Sequence, residues 1–360
     1  MRGNFGLLVL LGGFATASAC KRVPEPSTED RALPAATAEL AAVPKPTPQN
    51  AEPTVVTSST AEPLLKAPPV AQAARGKIKR VIVIALENHD PDEIYGDAVN
   101  APYFHELVSK YARAANFDDE LPLEVPSEGH YVWMEAGTHQ FSDATFLDDA
   151  WPSPSVSTGS SKHLVTQIKN AKGVSWMSYQ EGMNAESGAC PIEDSGFYVP
   201  KHNPFVFFRD VSGDPPSKDN AYCAAHHKPY SALEQDLKGE LASYVFITPD
   251  ECHDMHWQRG CPDENPVRTG DRWLRSELPR LIDYADAHES VIFITFDEGA
   301  TTLKLPFIVV GNVAKSGYVG TEHYNHSSQL KTVELILGLP VLPTVASAND
   351  LSDLLKPGVL

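Results

Sequence analysis

Three segments of this chain share one form: an unbroken apolar run, rich in β-branched residues, that stops at acid or amide side chains. "VIVIAL" runs into Glu87 and Asn88, "YVFITP" into Asp250, and "VIFITF" into Asp297 and Glu298. Strands read this way when both faces of the sheet are covered, because neither face then tolerates polar residues. A fourth run, "PFIVVG" over 306–311, has the same form without the acids. Amphipathic stretches at 101–115, 272–287 and 326–339 separate or follow them. The alternation predicts an α/β fold, a three-layer α/β/α sandwich on a mainly parallel sheet. Ligands of such sheets bind beyond the carboxyl ends of the strands, so these acidic ends are expected to converge.

Carboxylates at buried strand ends are costly unless something compensates them, and a divalent cation is the simplest compensation. For one strand, a helix N-cap pair would explain Asp297 and Glu298 equally well. Three such ends in one sheet, with His326 opening a later helix, favour metal.

The formal charge of −18 argues against a nucleic-acid partner, since phosphate neutralisation needs clustered Lys and Arg. An acidic protein can still act on phosphate esters when a bound cation supplies the positive field. The 42% hydrophobic content is enough for a sizeable core in the remaining chain.

At the N-terminus, Arg2, the apolar run 7–14 and the small residues Ala17, Ser18 and Ala19 read as an export signal over residues 1–19, too short to span a bilayer. Cys20 follows directly, as in a bacterial lipobox, although Ala17 stands where Leu is usual. Lipidation of Cys20 would anchor the chain in the cell envelope, with plain secretion as the alternative. The stretch 20–77 is rich in Pro, Ala, Thr and Ser; ten of the thirty prolines fall within it, which disfavours regular structure and predicts a disordered tether. The folded part is placed at 78–360, with a loop-rich insertion at about 140–242, and is read as a monomer. Cys20 apart, the four cysteines form an even set in an exported chain, so two disulfides are expected. Cys252 and Cys261 close a short loop, leaving Cys190 with Cys223; a four-thiolate zinc site lacks the paired short spacings it needs.

The segments "VIVIALENHDPDEIYG", "PSEGHY", "SWMSYQEGM", "KHNPFVFF", "FITPDECHDMH", "GDRWL", "FITFDEG" and "HYNHSSQLKTVELILGLP" follow one another in this order. Together they resemble the bacterial phosphoesterase family that includes acid phosphatases and phosphatidylcholine-type phospholipases C, a branch of the alkaline phosphatase superfamily. The resemblance covers nearly all of 79–340. It implies that Ser127, by itself readable as an N-cap, is the nucleophile at a helix start, where backbone N–H groups and the helix dipole suit a phosphoryl anion. Gly129 and His130 stand where relatives have Pro and Asn, which would make His130 a phosphate contact alongside Asn88. Glu87, Asp297 and Glu298 would hold the nucleophile-side metal. A second set would draw on Asp250, Asp254 or His256, and His326; many relatives have Asn at position 250, so one or two ions are equally open. An oxygen-dominated set fits Ca, Mg or Mn better than Zn. His253, His323 and Tyr324 lie beside these segments, and Trp176, Tyr179, His202 and Phe205 read either as a substrate wall or as core.

The expected chemistry is in-line attack by Ser127 on a small phosphate ester, a phosphoserine intermediate, and hydrolysis of that intermediate. The near-minimal folded part favours an acid phosphatase acting on monoesters. A phospholipase C or phosphoinositide phosphatase is the alternative, and a non-catalytic surface binding protein a third. Sulfatase chemistry is disfavoured because no segment resembles the one from which formylglycine is made.

Overall fold

The structure is a computed structural model and describes residues 76–184 and 188–360. The export signal, Cys20 and nearly all of the tether lie outside these residues. Among the described residues no helix is long and apolar enough to cross a membrane.

The elements run β1 (Arg80–Leu86), α1 (Pro91–Tyr95), α2 (Pro102–Lys110), β2 (Ala112–Ala114), α3 (Ser127–Ala136), α4 (Leu164–Asn170), β3 (Trp176–Gln180), α5 (Arg209–Ser212), α6 (Ala221–His226) and β4 (His227–Pro229). They continue with α7 (Leu233–Asp236), β5 (Tyr244–Thr248), α8 (Pro266–Ala287), β6 (Ser290–Phe296), β7 (Phe307–Val310), β8 (Val319–Gly320) and α9 (His326–Leu337). One eight-stranded sheet has the order β4-β3-β5-β1-β6-β7-β2-β8. All neighbours are parallel except the two pairs made by β7, so the sheet is mainly parallel as expected.

Successive residues of β1 serve opposite faces, the period-two rule of a strand. Val81, Val83 and Ala85 join the apolar cluster that contains Tyr131 of α3, Leu164 of α4 and Leu330 of α9. Ile82, Ile84 and Leu86 join the cluster that contains Phe104 of α2 and Leu274 of α8. The α/β/α layering follows from that alternation.

Two differences from the sequence reading matter for the site. The region 140–242 is more than an insertion, because it supplies β3 and β4 and extends the sheet beyond β5. Its strand signal is weak since β3 carries the buried polar residues Ser178 and Gln180, whose partners are only found in the fold: Gln180 Nε2 donates to Ser178 Oγ at 2.9 Å and to Thr248 Oγ1 at 3.1 Å. Helix α8 begins at Pro266, ahead of the apolar periodicity, because Asn265 caps it by accepting from the Arg268 N–H and Pro occupies its first position.

The disulfides are Cys190–Cys223 and Cys252–Cys261, the pairing expected from loop length.

Candidate metal and phosphate site

Register brings the acids together. Strands β1 and β6 pair in parallel with Leu86 opposite Phe296, so Glu87 and Asp297 leave the sheet side by side. The ladder continues one step past the strands: the Asp297 N–H donates to Leu86 O at 3.0 Å and the Glu87 N–H to Asp254 O at 2.7 Å. Asn88 adopts a left-handed φ of 32°, a conformation Asn tolerates better than most residues. Its backbone N–H donates to Asp297 Oδ1 at 3.1 Å and its side-chain amide to Glu298 Oε1 at 3.0 Å.

Ser127 opens α3 directly above these ends. Its Oγ lies 3.1 Å from Glu87 Oε2 and 3.3 Å from Glu298 Oε1, and it is buried. Gly129 lets the helix approach closely: a β-carbon there would lie 2.7 Å from Val125 Cγ1 and 2.9 Å from the Phe146 carbonyl oxygen. One turn further, the Tyr131 hydroxyl donates to Glu87 Oε1 at 2.5 Å.

The electrostatics show what the site lacks. Burial raises the Glu87 carboxyl to about 7, against the opposing hydrogen bond from Tyr131. Burial, followed by the charge of Asp297, raises Glu298 to about 8. Burial and Glu87 push Asp297 well above the usual carboxylate range. Asn88 Oδ1 and Asp297 Oδ2 are buried without a hydrogen-bond partner. Orphaned acceptors and mutually repelling carboxylates in one place fit a divalent cation, and the oxygen donor set is of the kind Ca, Mg or Mn prefers.

The expected second set does not assemble. Asp254 does reach the site: its carboxylate faces Glu87 through His202, whose Nε2 lies 3.4 Å from Glu87 Oε2 and whose Nδ1 lies 3.2 Å from Asp254 Oδ2. Burial lowers His202 well below its ordinary value and raises Asp254 well above its own. Asp250, four residues earlier, turns away; Glu181, Asp250 and His253 form a separate, partly exposed group, with His253 Nδ1 3.0 Å from Glu181 Oε2 and 3.1 Å from Asp250 Oδ1. His256 donates its backbone N–H to Asp254 Oδ1 at 2.8 Å, while its Nδ1 is directed at the Trp257 carbonyl. His326 sits with Asp119 and Glu120. The chain makes a tight turn between Asp250 and Asp254, with the His253 and Asp254 N–H groups donating to Asp250 O at 2.7 and 2.8 Å, and Met255 and Trp257 then take φ values of 83° and 66° on the way to α8.

His130 is a correction too. It is fully buried; Nδ1 lies 3.0 Å from Asp119 Oδ1 and Nε2 2.8 Å from the Val125 carbonyl oxygen, with Glu298 Oε2 at 3.7 Å. Both nitrogens are committed inside the protein, leaving neither for a phosphate. Burial pulls this imidazole down, but the hydrogen bond and charge of Asp119, backed by Asp297 and Glu298, raise it to about 9. Two donors at the start of α3 are also engaged: the Glu128 N–H donates to Asp149 Oδ1 at 3.1 Å and the Gly129 N–H to Pro126 O at 3.1 Å. Positive charge near Glu87 comes from Lys201, whose Nζ donates to Asp149 Oδ2 at 2.8 Å.

Sequence reasoning passed over Tyr131, Lys201, Asp119 and Glu120 and left His202 as wall or core. Tyr131 was findable, since it follows Ser127 by four residues and so shares its helix face. The other four depend on loops meeting in space.

Comparison with known proteins identifies relatives of the chain. The chain is 28% identical over 312 residues to the "Probable acid phosphatase" of Kluyveromyces lactis, covering 79% of this chain and 66% of that one. It is 26% identical over 287 residues to the "Phosphatidylinositol-3-phosphatase" of Mycobacterium tuberculosis, covering 79% and 85%. The chain thus spans slightly under two-thirds of the fungal relative's length. A solved protein of the alkaline phosphatase superfamily from Vibrio parahaemolyticus has the same fold, with a TM-score of 0.50 at 13% identity over 79% of this chain and 72% of that chain. Murine ectonucleotide pyrophosphatase/phosphodiesterase 5, solved with AMP, also gives 0.50, at 11% identity over 77% of this chain and 100% of its own. The model of the Phosphoesterase family matches residues 99–340, well over half of the sequence and including Ser127, Asp297 and Glu298, and the chain belongs to that family.

Proposed function

We propose that this protein is a metal-dependent phosphoric ester hydrolase of the acid phosphatase kind, with Ser127 as its nucleophile. The observation that carries the reading is the position of Ser127 Oγ between Glu87 and Glu298, at 3.1 and 3.3 Å, beside the orphaned oxygens of Asn88 and Asp297. A divalent cation held by Glu87, Asn88, Asp297 and Glu298 would neutralise these acids and ease ionisation of a neighbouring hydroxyl.

Ser127 Oγ attacks phosphorus in line; a new Oγ–P bond forms as the ester P–O bond breaks. Glu87 Oε2 and Glu298 Oε1 are the acceptors within reach of the serine proton. Water then cleaves the Oγ–P bond and frees phosphate. Tyr131 holds Glu87 in place by its hydrogen bond, and His130 lies 3.7 Å from Glu298 Oε2. Lys201 adds positive charge at the mouth of the site. Asp250 and His256 stay outside this chemistry.

A second reading, a phosphoinositide or other phospholipid substrate, is favoured by the 85% coverage of the mycobacterial relative named for such a lipid. It goes with placement at the cell envelope: an export signal at 1–19, lipidated Cys20, a tether over 20–77 and a catalytic domain over 78–360. The residues flanking Cys20 support that placement, and loss of radiolabelled fatty acid in Cys20→Ser tests it.

The deciding experiment assays the purified protein on a chromogenic phosphomonoester, a chromogenic diester and phosphatidylinositol 3-phosphate, with chelator and metal add-back. Chelator-sensitive monoester turnover that falls by about 10³-fold or more in Ser127→Ala is the expected result. A folded protein inert on all three esters with every metal would leave a binding role instead.

A further inference from the structure

Beyond the Ser127 site lies a second group of acceptors with nothing to accept. His326, the first residue of α9, is 1% exposed. Its Nε2 lies 2.8 Å from the Phe296 carbonyl oxygen. A carbonyl can only accept, so Nε2 carries a proton, and in that tautomer Nδ1 is the nitrogen that presents a lone pair. That Nδ1 is buried without a hydrogen-bond partner, and another acceptor, Glu120 Oε2, lies 3.6 Å from it. Asp119, 6% exposed, completes the group: its Oδ1 is taken by the Leu121 N–H and by His130 Nδ1, while Oδ2 is buried and unpartnered.

The three side chains are held rigidly. Glu120 Oε1 accepts from Trp133 Nε1 at 3.1 Å and from the Ser327 N–H at 2.8 Å, and Oε2 accepts from the His326 N–H at 3.1 Å. One ligand atom from each of Asp119, Glu120 and His326 lies within 4.8 Å of the others. Two buried, unpartnered acceptor atoms gathered beside a carboxylate, with no donor among them, call for a positive charge there. A proton on Nδ1 would meet Glu120 at a separation too long for a hydrogen bond, whereas a metal ion sits between ligands at about this spacing.

We propose that Asp119, Glu120 and His326 form a second divalent-cation site, of one imidazole nitrogen and two carboxylates, separate from the one at Ser127. That donor set suits Mn²⁺ or Zn²⁺ better than Ca²⁺. The site ties the start of α9 and the 119–120 loop to the end of β6, one residue before Asp297. His130 stands between the two sites, bonded to Asp119 and 3.7 Å from Glu298, so this cation is a positioning device for the catalytic carboxylates.

The test counts ions. The full-length protein is loaded with Mn²⁺, dialysed, and its bound metal measured by mass spectrometry alongside His326→Gln, Asp119→Asn and Asp297→Asn. Gln at 326 keeps an N–H donor near the Nε2 position and removes the Nδ1 lone pair. Two ions per wild-type chain and one in His326→Gln are expected, with the ion left in Asp297→Asn lost on adding His326→Gln. A single wild-type ion that His326→Gln leaves in place overturns the proposal, as do two ions in both His326→Gln and Asp119→Asn. Should His326→Gln fail to fold, Asp119→Asn decides alone. Failure of the Ser127 reading is separate, since it would appear as an unchanged count in Asp297→Asn.

Discussion

The Tyr131 hydroxyl donates to Glu87 Oε1 at 2.5 Å, from the same face of α3 that carries Ser127. The bond opposes the burial that raises the Glu87 carboxyl, and the ring stacks on His202 at 5.3 Å between centroids. Tyr131→Phe should therefore push Glu87 further up. A hydrogen bond to a charged group is worth about 1.5–3 kcal/mol, or about one to two pH units. We expect the acid limb of kcat/KM to move up by about one unit and cation affinity to fall roughly tenfold, read by pH profiles and calorimetric titration. An unmoved acid limb would place Glu87 outside the ionisation that matters.

His130 makes a prediction about stability against pH. Its folded pKa, about 9, lies above its ordinary value of 6.5, so its stabilising contribution is complete below about 6.5 and is lost as pH rises through 9. In chelator, wild type should exceed His130→Gln by about 3 kcal/mol near pH 6 and lose that margin by pH 10. Urea melts across this range would show it, and a margin independent of pH would mean the ring is neutral.

Gly129 is where α3 meets the 146 loop. Gly129→Ala should cost about 1–3 kcal/mol, because Val125 and the Phe146 carbonyl must yield to the new methyl group. Since Ser127 sits two residues away, the same variant should lower kcat more than it raises KM. Thermal melts and steady-state kinetics together separate the two effects.

The Cys252–Cys261 bridge closes the loop that carries Asp254. Replacing both with Ser should destabilise the protein by about 2–3 kcal/mol, the chain-entropy value for so short a loop. The Glu87 N–H to Asp254 O bond would then loosen, and activity should fall before global unfolding. Coincident loss of activity and near-UV signal on warming would argue that the loop is braced from elsewhere.

How far the sequence reached differs between elements. The runs at β1, β5 and β6 needed no partner to be read, because burial on both faces writes itself as continuous apolar residues, and the carboxylates at their ends were visible for the same reason. The four cysteines paired as loop length implied. β3 was hidden because its buried Ser178 and Gln180 look like loop residues until Thr248 and the strand above them supply hydrogen bonds.

Within the site, the sequence by itself marked Glu87, Asp297 and Glu298 as candidate donors, and Asn88 as a phosphate contact, because each closes an apolar strand. What only the tertiary structure decided was which further groups meet them. Asp250 and Asp254 are four residues apart on one loop, yet the hydrogen-bonded turn between them leaves one with Glu181 and brings the other to Glu87. His130 and His326 carry the chemistry of ligands, but Asp119 and Glu120 hold them, and that meeting joins residues separated by as many as 206 positions. Periodicity and side-chain chemistry are local properties and can be read along the chain. The pairing of buried charges depends on register, loop reversals and close packing, which exist only once the chain has folded.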